Sequence, residues 1–135
     1  MYTSEVIYQG ELRCKAKHLQ SDTVIITDAP VDNYGKGEAF SPTDLLATAL
    51  GTCMLTIMGI EANKLNVNID GANLTIKKIM GTLPRRIVKI EITMVVPDAG
   101  ISEINKELLR DAGINCPVAK SLHPDLIQQI LINFI

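Results

Sequence analysis

The sequence predicts an α+β domain, on three observations. Strand-like segments come in blocks, 3–9, 12–18 and 23–28 and then 65–79 and 86–97, rather than alternating with helices. One long helical pattern, 41–63, uncharged from Leu45 to Ile60, separates the blocks. The 135 residues are 47% apolar, which is ample for one core in a chain of single-domain length, so residues 1–135 read as one domain. Aromatic content is low and there is no Trp, so Ile, Leu, Val and Met must do the packing.

Taken in order, TSEVIYQ (3–9) reads as a strand, and Gly10 and Glu11 as a turn. LRCKAKH (12–18) alternates Leu12, Cys14 and Ala16 with Arg13, Lys15 and Lys17, a strand with one wet face. TVIITD (23–28) completes an antiparallel meander. Cys14 then belongs to the apolar set and is expected in the core. Arg13 belongs to the polar set, and its plainest reading is a solvated basic face. The loop 29–40, with Pro30, Gly35 and Gly37, carries Glu38, an acid either solvated or folded back as a charge partner.

Ser41, Pro42 and Asp44 form a helix start: a cap, a first-position proline and a capping-box acid. From Leu45 to Ile60 there is no charge, and the apolar residues point all round, the mark of a helix wrapped by protein or lipid. A spanning helix needs about 20 apolar residues. This run is shorter and holds Thr48, Gly51, Thr52 and Thr56, so a buried central helix is expected and not a membrane span. Gly51 costs about 1 kcal/mol of helix propensity against alanine. Its expected use is close approach of another backbone or helix, as in a dimer seam. Mid-helix lies Cys53, core filling or reagent.

Beyond the helix, 65–79 has strand character interrupted by Gly71, which suggests a bulge. RIVKIEITMVVP (86–97) is the clearest strand and should pair with it as a hairpin. Ser102 caps a short helix with Ile104, Leu108 and Leu109 on one face and Gly113 at its stop. Cys116 precedes Pro117, which places its thiol at a helix N-terminus, where free N–H groups favour a thiolate. LIQQILINFI (126–135) closes the chain as a strand, giving βββ–α–ββ–α–α–β. An apolar helix of this kind suits burial between two subunits.

A formal charge of −2 without a Lys/Arg cluster argues against nucleic acid as a partner. The start MYTSEVIYQGEL has no signal-peptide pattern, so the cytoplasm is expected. Cys14, Cys53 and Cys116 are widely separated with no CxxC, and His18 and His123 lie near no cysteine pair, so a zinc site is not expected. In a reducing compartment these thiols are buried bystanders or redox groups.

The helix start and mid-helix cysteine of FSPTDLLATALGTCML, together with the Cys-Pro step of CPVAKSLHPD, resemble the OsmC/Ohr family. The ITDAP turn resembles a subgroup of OsmC-like proteins. The resemblance extends over the whole chain and implies an OsmC-like fold, with antiparallel sheets wrapped around a long central helix in an intertwined homodimer. It implies a cysteine peroxidase acting on organic hydroperoxides, with Cys53 peroxidatic and Cys116 resolving. It calls for no metal, haem or flavin cofactor, and for a dithiol reductant such as a lipoyl group. The family pattern pairs the thiol with an arginine held by a glutamate. Arg13 is the candidate, ahead of Arg85, Arg86 and Arg110, with Glu38 as its acid. The chain departs from the Ohr-type pattern at Thr43, where those members carry an acid; Asp44 points about 100° away around the helix. That departure keeps open a non-enzymatic protein binding a small hydrophobic ligand in the dimer pocket, and a thiol redox switch. Local physics favours Cys116 as the thiolate, whereas the resemblance assigns attack to Cys53.

Overall fold

The computed structural model describes every residue, Met1–Ile135. The elements are β1 (Ser4–Gly10), β2 (Arg13–His18), β3 (Val24–Asp28), α1 (Pro42–Lys64), β4 (Asn73–Thr82), β5 (Arg85–Val96), α2 (Glu103–Ile114), α3 (Pro117–Ser121) and β6 (Ile127–Phe134). This is the α+β order read from the sequence. The chain divides into two compact units, Met1–Leu46 and Ala47–Ile135, and the division falls within α1.

The first unit is the antiparallel meander β1-β2-β3. Its first turn places Glu11 and Leu12 at φ 53° and 64°, after a register irregularity between Tyr8 and Gly10. Asp28 and Ser41 are the buried residues of this unit, and both are polar. Val6, Ile7, Tyr8, Val24, Ile25 and Ile26 are exposed. Cys14 is therefore half-buried beside Tyr8 and Thr27 and not a core residue, because a lone three-stranded sheet encloses no core. The unit ends in the expected helix start: Ser41 Oγ accepts from the Asp44 N–H, and the Ser41 N–H donates to Asp44 Oδ2, both at 3.0 Å.

The second unit holds the hydrophobic core. β4 and β5 form an antiparallel hairpin, and β6 lies parallel to β5, a pairing that needs the long crossover supplied by α2 and α3. Ile90, Ile92, Met94 and Val96 alternate inward along β5. The ladder irregularity lies at Ile79/Met80, opposite Val88, and not at Gly71. Gly71 takes φ +88° in the turn before β4, where a left-handed backbone favours glycine.

Helix α1 buries one stripe rather than its whole circumference: Ala47, Leu50, Gly51, Met54, Met58 and Ala62. Burying each large member contributes about 1.5–3 kcal/mol. Ala49, Thr52, Thr56 and Ile60 lie exposed on the opposite side. The helix is long and apolar enough to cross a membrane by length and composition alone, but its buried stripe belongs to the same core as Ile90 and Met94. Gly51 meets this sheet and not another helix. A Cβ there would stand 2.7 Å from Ile76 Cδ1 and 2.9 Å from Leu74 Cδ1. In α2, Ser102 Oγ caps the Asn105 N–H at 3.2 Å as expected. Of its apolar face only Leu109 is fully buried; Ile104 and Leu108 are exposed. Gly113 lies inside the helix and not beyond its end, for a packing reason given below.

Candidate active site: a thiol pair and a clamped arginine

Chemically capable side chains gather in two arrangements, one in each unit. In the second unit, Cys116 is the N-cap residue of α3, with extended backbone (φ −65°, ψ 158°) and Pro117 at the first helical position. Its carbonyl accepts from the Lys120 N–H at 3.1 Å, and its own N–H donates to Gly113 O at 3.3 Å. Gly113 is pressed against α1: an added Cβ would lie 2.8 Å from Met58 Sδ and 3.0 Å from Met58 Cγ. This close approach brings the end of α2, and with it Cys116, down onto the helix that carries Cys53 about one and a half turns before Met58. The two thiols are free cysteines in mutual interaction range, and they share the core around Met54 and Leu109.

Burial opposes the thiolate at Cys116. Cys116 is 0% exposed, and burial pushes its thiol above the ordinary cysteine range. The amides of Ala119 and Val118 pull the other way, and the neighbouring Cys53 adds to the rise. The helix-start argument for Cys116 is thus outweighed: a five-residue helix offers a weak dipole, while desolvation is complete. Cys53 is half-buried on α1.

In the first unit, Arg13 and Asp28 are direct cross-strand partners in the β2–β3 ladder. Arg13 Nε donates to Asp28 Oδ1 at 2.7 Å and Nη2 to Oδ2 at 2.8 Å, a bidentate fork. Nη2 also donates to Glu38 Oε2 at 3.2 Å. The Glu38 N–H donates to Asp28 Oδ2 at 3.1 Å, which ties the loop to the same carboxylate. Asp28 is 2% exposed and Glu38 64%. The Arg13 hydrogen bonds hold the Asp28 carboxyl below its ordinary range, against the opposing effect of burial, and raise Arg13 in turn. Arg13 is accordingly clamped and half-buried, not a solvated base on a wet face.

The structure brings the candidate Glu38 to the candidate Arg13, but as the longer and more exposed of two contacts. Asp28, the main partner, was missed. The signal was present in sequence: Asp28 sits in the ITDAP turn at a strand end, and an acid opposite Arg13 in a meander is a cross-strand pair. The other arginines belong to the second unit. Arg85 and Arg86 stand exposed at the β4–β5 turn. Arg110 pairs with Glu107 and covers the Phe134 ring at 4.9 Å. His18 bonds Ser21 Oγ at 2.6 Å, and His123 accepts from the Asp125 N–H at 3.0 Å; both contacts are local. Thr43 lies 3.2 Å from Ser41 Oγ at the helix start. A groove of about 610 Å3 at the C-terminal half of α1 is lined by Asn63, Asn66, Asn68 and Asp70 with Thr56 and Ile60, and it includes neither cysteine.

A central helix presenting one thiol, met by a second thiol at a Cys-Pro helix start, sets the class: an α+β protein with two cysteines brought together from distant parts of the chain. The particular family follows from comparison. The profile of OsmC-like proteins matches residues 35–128, most of the chain including both thiols, and the chain belongs to the OsmC-like family. A crystal structure from Psychrobacter arcticus 273-4, described as an osmotic stress induced and detoxification response protein, is 49% identical. It covers 98% of this chain and 96% of its own, with a TM-score of 0.93. A Legionella pneumophila organic hydroperoxide resistance protein OsmC is 16% identical (98% of each chain, TM-score 0.72). An Elizabethkingia anophelis organic hydroperoxide resistance protein is 14% identical (100% and 98%, TM-score 0.76). These last two share the fold. Comparison with curated proteins gives no match.

Proposed function

We propose that this chain, one OsmC-like domain over residues 1–135, is a cytoplasmic thiol peroxidase that reduces organic hydroperoxides. The observation that carries the reading is the pairing of Cys53 on the central helix with the buried, protonation-favoured Cys116. A peroxidatic thiol attacks as the thiolate, and its partner must wait as the thiol. The Cys53 thiolate attacks the distal peroxide oxygen. The O–O bond breaks, the alkoxide leaves and takes a proton as the alcohol, and Cys53 becomes a sulfenic acid. The Cys116 sulfur then attacks the Cys53 sulfur, water leaves, and a Cys53–Cys116 disulfide forms. A dithiol of the lipoyl type reopens it by exchange, reducing both cysteines while it is itself oxidised to a disulfide.

A thiolate in apolar surroundings needs a nearby cation. We assign that role to Arg13, with Glu38 as an accessory acid. We further propose a homodimer, because the first unit leaves Val6, Ile7, Tyr8, Val24, Ile25 and Ile26 exposed on the two faces of its sheet, apolar area that an interface would cover.

The test is intact mass and free-thiol count after one equivalent of cumene hydroperoxide, on wild type, Cys53→Ser and Cys116→Ser. Wild type should lose two thiols and about 2 Da, Cys53→Ser neither, and Cys116→Ser should gain about 16 Da or its over-oxidised multiples. Wild-type protein that keeps its thiols while hydroperoxide persists, with a dithiol present, overturns the proposal in favour of a binding role. Light scattering that returns a monomer mass overturns the dimer.

A further inference from the structure

We infer that Gln128 is a positioning residue for Cys116: its side-chain amide ties the short helix α3 to β6 and so keeps the second thiol beside Cys53. The inference rests on the peroxidase reading above, and every residue in it belongs to the second unit. It starts from a break in a pattern. The inward row of β6 runs Gln128, Ile130, Ile132 and Phe134, and its three apolar members pack against the core. Gln128 stands in the same row, paired in register with Ile90, which is fully buried. A polar side chain at such a position needs a hydrogen-bond partner. It has one, since Gln128 Nε2 donates to Ala119 O at 3.0 Å.

That carbonyl lies in the last turn of a five-residue helix, where no backbone donor of the helix itself follows to take it. A helix so short is not stable alone. The Lys120 N–H donates to Cys116 O at 3.1 Å and Ser121 Oγ to Pro117 O at 2.8 Å, both within the helix and its cap, whereas the Gln128 bond reaches it from another element. Cys116 is the N-cap of this helix, and the amides of Val118 and Ala119 hydrogen-bond toward its sulfur. Ala119 is therefore held at both ends, by the thiol through its N–H and by Gln128 through its carbonyl. Without the Gln128 donor α3 frays, and the Cys116 sulfur leaves its place beside Cys53. The Cys53 sulfenic acid has two fates. Attack by the Cys116 sulfur expels water and forms the disulfide. A second hydroperoxide instead oxidises it to the sulfinic acid and is itself reduced to the alcohol. A misplaced Cys116 favours the second fate.

The partition between these fates is measured on the full chain as wild type, Gln128→Met, Gln128→Lys and Gln129→Met, with cumene hydroperoxide raised stepwise and no dithiol present. Peptide-level mass spectrometry reads the ratio of Cys53 sulfinic acid to Cys53–Cys116 disulfide. Gln128→Met removes the donor at nearly constant size and should raise the ratio about tenfold, the effect of one lost buried hydrogen bond. Gln128→Lys keeps a donor for the Ala119 carbonyl and should stay within about threefold of wild type. Gln129→Met makes the same change on the exposed face of β6 and should match wild type. In the reduced proteins, alkylation of Cys116 relative to Cys14 should rise about tenfold in Gln128→Met. A Gln128→Met ratio at the wild-type value overturns the inference. So does a Gln128→Lys or Gln129→Met ratio as high as that of Gln128→Met. A wild type that forms no disulfide overturns the peroxidase reading instead; the Cys116 labelling then tests the tie by itself, and an unmoved rate in Gln128→Met overturns it. Should Gln128→Met not fold, Gln128→Glu removes the donor at unchanged size; it should raise both readouts, and wild-type values overturn the inference.

Discussion

The burial of Cys116 sets a measurable order of thiol reactivity. In fully reduced wild-type protein at pH 7.5, a free thiol with a pKa of about 8.5 is roughly one-tenth thiolate. Burial raises Cys116 above its ordinary value, so its thiolate fraction lies below that, and each further unit costs another tenfold. Access costs more. The residue is 0% exposed and tied by backbone hydrogen bonds to Gly113 and Lys120, so a reagent reaches it only after local opening. An opening free energy of only about 1.4 kcal/mol slows labelling tenfold. The two effects multiply, and Cys14, half-buried on β2, provides the reference within the same chain. Pulsed alkylation with peptide-level mass spectrometry should find Cys116 labelled at least about tenfold more slowly than Cys14, with the gap narrowing as pH rises. If Cys116 labels as fast as Cys14, the helix-start argument was right and the burial argument wrong, and the assignment of attacker and resolver must be exchanged.

Other outcomes follow from the packing. Gly51→Ala and Gly59→Ala gain the same helix propensity, about 1 kcal/mol. Only the former meets side chains, below 3.0 Å at Ile76 and Leu74, while the latter meets nothing within 4 Å. Urea unfolding should rank Gly51→Ala below Gly59→Ala by about 1–3 kcal/mol, and a reversed order would refute the described α1–β4 packing. Leu109→Ala, at a fully buried site in the same core as Met58 and Cys116, should cost about 2–5 kcal/mol in the same assay. The folded Asp28 carboxyl is depressed below its unfolded value near 3.8, so its contribution is present above that value and fades as pH falls through the lower folded value. Asp28→Asn should therefore destabilise at pH 7, with the difference from wild type shrinking below about pH 4 in acid-denaturation curves. A constant difference would show that Asp28 stabilises by packing alone.

Features that depend on local period and punctuation are legible along the chain. The meander, the capping box at Ser41 and Asp44, the hairpin, the Ser102 cap and the order of elements all follow from residues within a few positions of one another. The family was legible for the same reason, since its two motifs are each contiguous. What those pieces face becomes visible once they are packed together. Gly51 and Gly113 look like ordinary helix punctuation until Leu74, Ile76 and Met58 are placed against them. Cys116 looks like an activated thiol until the core closes over it and desolvation outweighs the helix start. Arg13 looks solvated until β3 is paired to β2 in the register that sets Asp28 opposite it. In each case the deciding quantity is distance across strands or helices far apart in sequence. Burial, dielectric and hydrogen-bond partnership depend on that distance, and periodicity along the chain carries no information about it.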